Sequence, residues 1–181
     1  MNCISTNLKD CFVLEPQVFE DERGLFFESY NQSKFEEAIG KQVNFLQDNQ
    51  SISKKGVLRG LHFQKGKFAQ SKLVRVVQGE VLDVVVDLRE KSETFGQHFK
   101  LNLSGKNNKM IFIPKGMAHG FVTLSEEALF TYKCDEYYHK ASENGIIYND
   151  ETLQIDWGYP VKDIILSQKD EELPKFKELF P

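Results

Sequence analysis

Hydrophobic and polar residues alternate most clearly in the middle of the chain, over residues 72–89. A Gln-Gly-Glu break divides this stretch into two strands. In the second strand the even-numbered positions from Leu82 to Leu88 form one apolar face. The other face carries Asp83, Asp87 and Arg89 together with Val81 and Val85. A period of two with acidic residues on one face predicts a half-buried strand.

Similar short runs, rich in aromatic and β-branched residues and bounded by polar turns, predict further strands. They cover residues 24–30, 57–64, 96–103, 110–113, 120–124 and 129–134. Two short helices are predicted, one from Ser33 to a stop at Gly40 and one that starts at Ser167 and is ended or bent near Pro174. The whole pattern predicts an all-β fold, an antiparallel β-sandwich of jelly-roll type with a few short helices at the ends.

Composition narrows the function classes further. The 181 residues contain no repeat, low-complexity tract or linker, so we expect a single domain over residues 1–181. A formal net charge of −4 argues against non-specific nucleic-acid binding, which needs a basic surface. There is no signal peptide, no membrane-spanning apolar run and no Cys-x-x-Cys pair among the three cysteines. We therefore expect a cytoplasmic protein without nucleic-acid or membrane partners.

Two of the four histidines lie in surroundings that suit acid–base chemistry. His62 lies in the strand-like run VLRGLHFQ (57–64), and His119 follows a turn in IPKGMAHGF (113–121). Because histidine exchanges a proton near neutral pH, two histidines facing one cavity suit proton transfer. A single histidine on a strand is more often a packed, hydrogen-bonded core residue, and both interpretations stay open at this point.

Two other polar side chains are predicted to point into the fold. Tyr132 alternates with Phe130 and Cys134 on an apolar face, where its phenol is either bonded to backbone or acts as a proton donor. Lys72 has the parity of the apolar residues in its strand, and an inward lysine is costly unless it is paired. This lysine either reaches water at the mouth of the fold or partners a bound anion.

Arg23, Arg59 and Asp170 each have two interpretations. The guanidinium groups of Arg23 and Arg59 match phosphate geometry, although pattern alone favours a solvated turn for Arg23. Asp170 is either the last member of a capping box or a carboxylate that orients His62. No phosphate loop, dinucleotide motif or nucleophile elbow occurs, and Gln64 stands where a metal-binding His-x-His pair needs its second histidine.

Several short segments together resemble one enzyme family. They are DERG (21–24), QDN (47–49), VLRGLHFQ (57–64), KLVR (72–75), GEVLDV (79–84), IPKGMAHGF (113–121), YK (132–133) and ND (149–150). On these segments the chain resembles the dTDP-4-dehydrorhamnose 3,5-epimerase family through almost its whole length. The resemblance implies a cupin-type jelly roll, a homodimer and no cofactor. It also implies that C3 and C5 of dTDP-4-keto-6-deoxy-D-glucose are inverted on the way to dTDP-L-rhamnose.

The resemblance further implies roles for individual residues. His62 matches the catalytic base, Tyr132 the proton donor and Asp170 the carboxylate paired with the base. Lys72 matches a lysine near the ketone oxygen, and Tyr138 an aromatic residue that stacks on the thymine. The other substrate contacts that it implies are Arg23, Glu28, Gln47, Asn49, Arg59, His119, Glu143 and Lys169.

Three rival functions stay open at this stage. The first is a metal-dependent cupin isomerase or oxygenase that uses His62 and His119, and a metal requirement of the purified protein would favour it. The second is a non-catalytic carbohydrate-binding jelly roll, which unchanged function after His62→Ala would favour. The third is a relative that inverts only C3 or only C5 of a nucleotide sugar.

Overall fold

Strands make up most of the regular structure of the chain, and a computed structural model describes all residues 1–181. The strands are β1 (Asn2–Ser5), β2 (Phe12–Glu15), β3 (Phe19–Asp21), β4 (Gly24–Phe26), β5 (Gln47–Lys54), β6 (Leu58–Gln64), β7 (Lys72–Gln78), β8 (Glu80–Asp87), β9 (His98–Ser104), β10 (Met110–Ile113), β11 (Met117–Thr123), β12 (Glu127–Cys134) and β13 (Glu143–Gly145). The helices are α1 (Gln32–Ile39), α2 (Gln168–Glu171) and α3 (Phe176–Leu179), with single 3-10 turns at Gly66–Phe68, Lys140–Ser142 and Val161–Asp163. None of the helices has the length and hydropathy required to cross a membrane.

The strands form two larger sheets and one separate hairpin. The first sheet has six strands in the order β1-β2-β10-β7-β12-β5, and the second has five in the order β13-β6-β11-β8-β9. β3 and β4 form the hairpin. Every strand pair is antiparallel, and many neighbours within a sheet are far apart in the chain. The predicted antiparallel jelly-roll sandwich is confirmed.

The main apolar core combines residues of both sheets. Val76 of β7 and Phe130 of β12 come from the first sheet, and Val85 of β8 and Phe121 of β11 come from the second. All four side chains are almost completely buried, and Tyr132 packs against them. The alternation along β12 therefore predicted the inward direction of Tyr132 correctly.

The opposite face of the second sheet is covered by the C-terminal part of the chain. Val84 of β8 packs there in one cluster with Trp157 and Phe176. Asp83 and Asp87, on the other face of β8, are also buried. The prediction of a half-buried strand was wrong, because this later segment covers the apolar face while the acidic face turns into the fold.

The first helix begins slightly earlier than predicted. Its cap is Asn31, whose side chain accepts a hydrogen bond from the backbone N–H of Lys34 at 3.2 Å, so the helix starts before Ser33. Its predicted end is confirmed, since Gly40 has a left-handed conformation with φ of 68°. At the second predicted helix, Ser167 caps α2 as expected.

Strand prediction failed for several short or polar strands, including both edge strands of the first sheet. The strand predicted over residues 24–30 ends at Phe26, and five strands, β1, β2, β3, β5 and β13, were not predicted. β5 has the polar sequence QDNQSISK, which lacks an apolar face, yet it pairs with β12 along its whole length. Pairing with a neighbouring strand, and not local pattern, makes this segment a strand.

Candidate active site

A pocket of about 370 Å³ contains most of the polar side chains that carry possible chemistry. Strands of both sheets and the segment around α2 form its walls. Five lining residues were not among the predicted site residues: Gln50, Ser51, Phe121, Phe130 and Ser167. The full lining is Asn49, Gln50, Ser51, Arg59, His62, Lys72, His119, Phe121, Phe130, Tyr132, Ser167, Lys169 and Asp170.

His62 and Asp170 form a hydrogen-bonded pair in this pocket, although they are 108 residues apart in the chain. The His62 Nε2 atom lies 2.5 Å from Asp170 Oδ1. Burial by itself would raise the pKa of Asp170, but the hydrogen bond and the charge of His62 outweigh it and hold that pKa below its ordinary value. Because Nε2 is bonded to a carboxylate, Nδ1 is the ring nitrogen left to exchange a proton with a ligand.

Local structure explains how Asp170 reaches His62. Ser167 caps α2 and accepts a hydrogen bond from the backbone N–H of Asp170 at 3.2 Å. The Asp170 side chain is not used to complete a capping box, since its one side-chain hydrogen bond goes to His62. The helix start predicted at Ser167 therefore places the carboxylate at the pocket and leaves it free to pair with the imidazole.

Tyr132 and Lys72 lie on the wall opposite His62. They come from β12 and β7 of the first sheet, whereas His62 comes from β6 of the second. The Lys72 Nζ atom is 5.8 Å from the centre of the Tyr132 ring. Burial raises the pKa of Tyr132 and lowers that of Lys72. The phenol therefore stays protonated at neutral pH and is available to donate its proton.

His119 lies beside His62 and has its own carboxylate partner. The two histidines are directly paired across β11 and β6. His119 Nε2 lies 2.8 Å from Oδ2 of Asp83, a residue of the neighbouring strand β8. Sequence reasoning did not select Asp83 as a site residue, although its alternation with Val81 and Val85 was a signal that it points inward.

Two glycines let β6 and β11 approach closely beside these histidines. Gly60 has φ of 126°, and a Cβ atom added there would lie 2.5 Å from Cα of Gly120. Only a residue without a side chain tolerates both this conformation and this contact. The register also shifts between His119 and Phe121. Any larger residue at Gly60 would push the two histidine-bearing strands apart.

A chain of hydrogen bonds lies along the rim of the pocket. Gln47 Nε2 donates to Asn49 at 2.8 Å, and the backbone N–H of Tyr138 donates to Gln47 at 3.0 Å. The Tyr138 hydroxyl donates to Glu143 at 2.8 Å, and Lys169 forms an ion pair with Glu143 at 2.6 Å. The rim therefore joins five of the predicted substrate-contact residues, of which Asn49 and Lys169 also line the pocket.

Two predicted substrate contacts lie away from both the pocket and its rim. Arg23 lies on the β3–β4 hairpin, where its exposed guanidinium pairs with Asp21 at 2.6 Å. Glu28 hydrogen-bonds Lys34 and Asn31 next to α1. Neither residue lines the pocket of its own chain, whereas Arg59, the other predicted phosphate contact, does. Their roles in binding substrate stay predictions.

The arrangement offers little to a metal ion. The structure contains no group of three or more His, Cys, Asp or Glu side chains that could hold one. The Nε2 atoms of His62 and His119 are each bonded to a carboxylate. A second depression of about 380 Å³, which includes Arg75 and Lys133, contains no histidine. Of these two depressions, only the pocket of about 370 Å³ brings both histidines together.

Comparison with known proteins gives a consistent result. The family model described as dTDP-4-dehydrorhamnose 3,5-epimerase matches residues 5–178. The dTDP-4-dehydrorhamnose 3,5-epimerase of Salmonella typhimurium is 58% identical over 159 residues, which cover 88% of this chain and 87% of that protein.

Solved structures agree with this match. The crystal structure of dTDP-4-dehydrorhamnose 3,5-epimerase from Elizabethkingia anophelis has a TM-score of 0.95 at 56% identity and covers 98% of this chain and 97% of that one. The dTDP-6-deoxy-D-glucose-3,5-epimerase of Legionella pneumophila was solved in complex with dTDP-4-keto-L-rhamnose. It has a TM-score of 0.93 at 47% identity and covers 97% of this chain and 93% of that one.

Proposed function

This chain belongs to the dTDP-4-dehydrorhamnose 3,5-epimerase family, and from that membership we propose how its residues divide the reaction among them. The protein is an isomerase that acts on a nucleotide-linked sugar. It inverts C3 and C5 of dTDP-4-keto-6-deoxy-D-glucose and so serves dTDP-L-rhamnose biosynthesis. One observation supports the proposed mechanism above all others: His62, with Asp170 behind it, lies across a single pocket from Tyr132.

The chemistry of the substrate explains why an acid and a base on opposite walls suffice. C3 and C5 both flank the C4 ketone, so loss of a proton from either carbon leaves its electron pair delocalised onto the ketone oxygen as an enolate. Return of a proton to the opposite face of the same carbon inverts that centre. The side chains supply all the groups that these steps need, and we propose that the enzyme works without a cofactor.

We assign the base to His62 and the proton donor to Tyr132. Nδ1 of His62 takes the proton from carbon, and Asp170 stabilises the resulting imidazolium through Nε2. The Tyr132 hydroxyl gives its proton to the other face, and the phenolate and imidazolium then return to their starting states by exchange with water. A positioned general base contributes roughly 10²- to 10⁴-fold to the rate.

Lys72 is assigned to the ketone oxygen, where negative charge develops. It lies on the same wall as Tyr132, and its ammonium group is 5.8 Å from the Tyr132 ring centre. A fixed positive charge in a pocket that excludes water stabilises an enolate strongly, because it needs no rearrangement during the reaction.

The remaining predicted residues are assigned to binding the nucleotide sugar. His119 and Asn49 line the pocket beside the catalytic groups, and Arg59 suits a phosphate of the nucleotide. At the rim, the Tyr138 ring is exposed and therefore open to stacking on the base. Gln47, Glu143 and Lys169 join this rim to the pocket.

We propose a homodimer to account for Arg23 and Glu28, the two predicted substrate contacts that lie away from both the pocket and its rim. On the β3–β4 hairpin Phe19 is 55% exposed, Leu25 54% and Phe26 67%. Contiguous apolar surface of this kind usually marks an interaction site. We propose that a second copy covers the hairpin and that Arg23 and Glu28 act at the pocket of that copy. We also propose that residues 1–181 form one domain and that the enzyme is cytoplasmic, which its three unpaired cysteines support.

Proton exchange in heavy water tests the function and the division of roles together. The enzyme should incorporate deuterium at both C3 and C5 of dTDP-4-keto-6-deoxy-D-glucose, as followed by NMR. Deuterium at one carbon only would show a restricted epimerase instead. Tyr132→Phe removes the proton donor and keeps the ring, so it should slow product formation more than proton removal. Equal loss of both would contradict the role assigned to Tyr132.

A further inference from the structure

Asp83 has a single hydrogen-bonding partner, and that partner is His119. The Asp83 side chain is completely buried and its Oδ2 atom lies 2.8 Å from His119 Nε2. Its other oxygen, Oδ1, has no hydrogen-bond partner in the protein. Asp83 does not line the pocket, so it reaches a ligand only through the imidazole.

The surroundings of the Asp83–His119 pair indicate that it contributes little net stability to the fold. Asp83 shares its face of β8 with Val81 and Val85, which belong with Phe121 to the main apolar core. A buried charged or strongly polar pair is seldom more stabilising than well-packed apolar residues of similar size. A carboxylate kept in this core with half of its hydrogen-bonding capacity unused therefore points to a role at the adjoining pocket.

The geometry determines which nitrogen of His119 faces a ligand. A carboxylate accepts hydrogen bonds, so its partner Nε2 must carry the proton. Nδ1 has no partner in the protein and is the atom that remains for the sugar. We propose that Asp83 is a positioning residue for the epimerase reaction: it fixes the ring orientation and the Nε2–H tautomer of His119, so that Nδ1 is directed at the substrate.

Asp83 also acts on Lys72 through its charge, and this second effect favours the reaction as well. Burial lowers the pKa of Lys72, whereas the negative charge of Asp83 is one of the nearby charges that raise it. The carboxylate thus helps to keep the ammonium group protonated beside the enolate oxygen. This proposal rests on the proposed function for its catalytic meaning, whereas the tautomer of His119 is a property of the protein without substrate.

The test compares Asp83→Asn with a matched control, Thr123→Val. Thr123 is completely buried on β11, on the same face as His119, and its hydroxyl also has no partner. Asparagine keeps the shape of Asp83 but can also donate to Nε2, which releases the tautomer. We expect Asp83→Asn to lower kcat about 10- to 100-fold with a much smaller change in KM, the range found when groups that orient metal-ligating histidines are removed. Thr123→Val should leave both constants unchanged.

A spectroscopic measurement separates positioning from mere stability. In ¹⁵N-histidine spectra of the unsubstituted protein without ligand, His119 should carry its proton on Nε2, and in Asp83→Asn the two tautomers should mix. A proton on Nδ1 of His119 in the unsubstituted protein would overturn the proposal, even if Asp83→Asn failed to fold. Equal effects of the two substitutions on kcat would overturn it as well. If the unsubstituted enzyme did not convert the dTDP sugar, the proposed function would fail while the spectrum still decided the role of Asp83.

Discussion

The two histidine–aspartate pairs of the pocket are built in different ways. His62 is joined to Asp170, which arrives from a helix near the C-terminus, and 28% of the His62 side chain is exposed. His119 is joined to Asp83 from the adjacent strand of the same sheet, and only 7% of its side chain is exposed. The first pair is accessible enough to exchange protons with substrate and water. The second is held by the sheet and suits a fixed contact. The same two residue types thus lie in different environments, and these environments suit the different roles that we propose for the two histidines.

Replacing each histidine by asparagine is the strongest way to test this difference. His62→Asn should abolish deuterium exchange at both C3 and C5 and lower activity by about 10³-fold or more, because it removes the imidazole assigned to take the proton from carbon. His119→Asn should slow the reaction less and leave exchange detectable at both carbons. Both rates follow from NMR in heavy water. A greater loss of exchange in His119→Asn than in His62→Asn would reverse the two assignments.

Phe176→Ala should disturb the packing that positions Asp170 and should therefore affect the His62–Asp170 pair but not the His119–Asp83 pair. Phe176 is buried in the cluster that fastens the C-terminal segment, and its ring lies 5.4 Å from that of Phe95. Its removal should cost about 3 kcal/mol of unfolding free energy and loosen Asp170, which lies six residues earlier. We expect the histidine NMR signals of His62 to change while those of His119 stay as they were. Urea unfolding measures the stability loss.

A matched control for this variant is Phe35→Ala. Phe35 is completely buried in a different cluster, beside the first sheet, so its loss should destabilise the protein by a similar amount. It should leave the signals of both histidines unchanged. If the two variants altered His62 equally, general destabilisation, and not the C-terminal segment, would explain the effect.

Asp87 is a second buried carboxylate on the same strand as Asp83, so it provides a comparison. Its replacement is expected to have the smallest effect of the substitutions considered. Burial would raise the pKa of Asp87, but hydrogen bonds from Arg89, Ser92 and Thr94 outweigh it and lower this pKa to about 2. Since the folded pKa is the lower one, the ionised group stabilises the protein above about pH 4, and this contribution is lost as the pH falls towards 2.

Asp87→Asn should therefore lower the free energy of unfolding at pH 7 by about 2 kcal/mol, because each pKa unit corresponds to about 1.4 kcal/mol. The difference from the unsubstituted protein should fade between about pH 4 and pH 2, as measured by urea unfolding. Its kcat should stay unchanged, in contrast to Asp83→Asn. A loss of kcat as large as that of Asp83→Asn would show that any buried carboxylate on this strand matters equally.

The sequence determined those features that depend on neighbours along the chain. Alternation in the central strands predicted the antiparallel sandwich, and parity placed Lys72 and Tyr132 on an inward face, because successive side chains of a strand must point to opposite sides. The cap at Ser167 was likewise readable, since capping involves groups only three residues apart. The resemblance of short motifs to one family supplied the identities of the candidate catalytic residues.

Only the tertiary structure decided which of these residues meet. Asp170 contacts His62 because the C-terminal segment packs over the second sheet, and no pattern along the chain encodes a contact over 108 positions. β5 became a strand through its pairing with β12, and Asp83 became a buried partner of His119 because β8 is covered on both faces. Local conformational preferences depend on a few residues adjacent in the sequence. Burial and strand pairing depend on distant segments of the chain that pack against the strand in the folded protein.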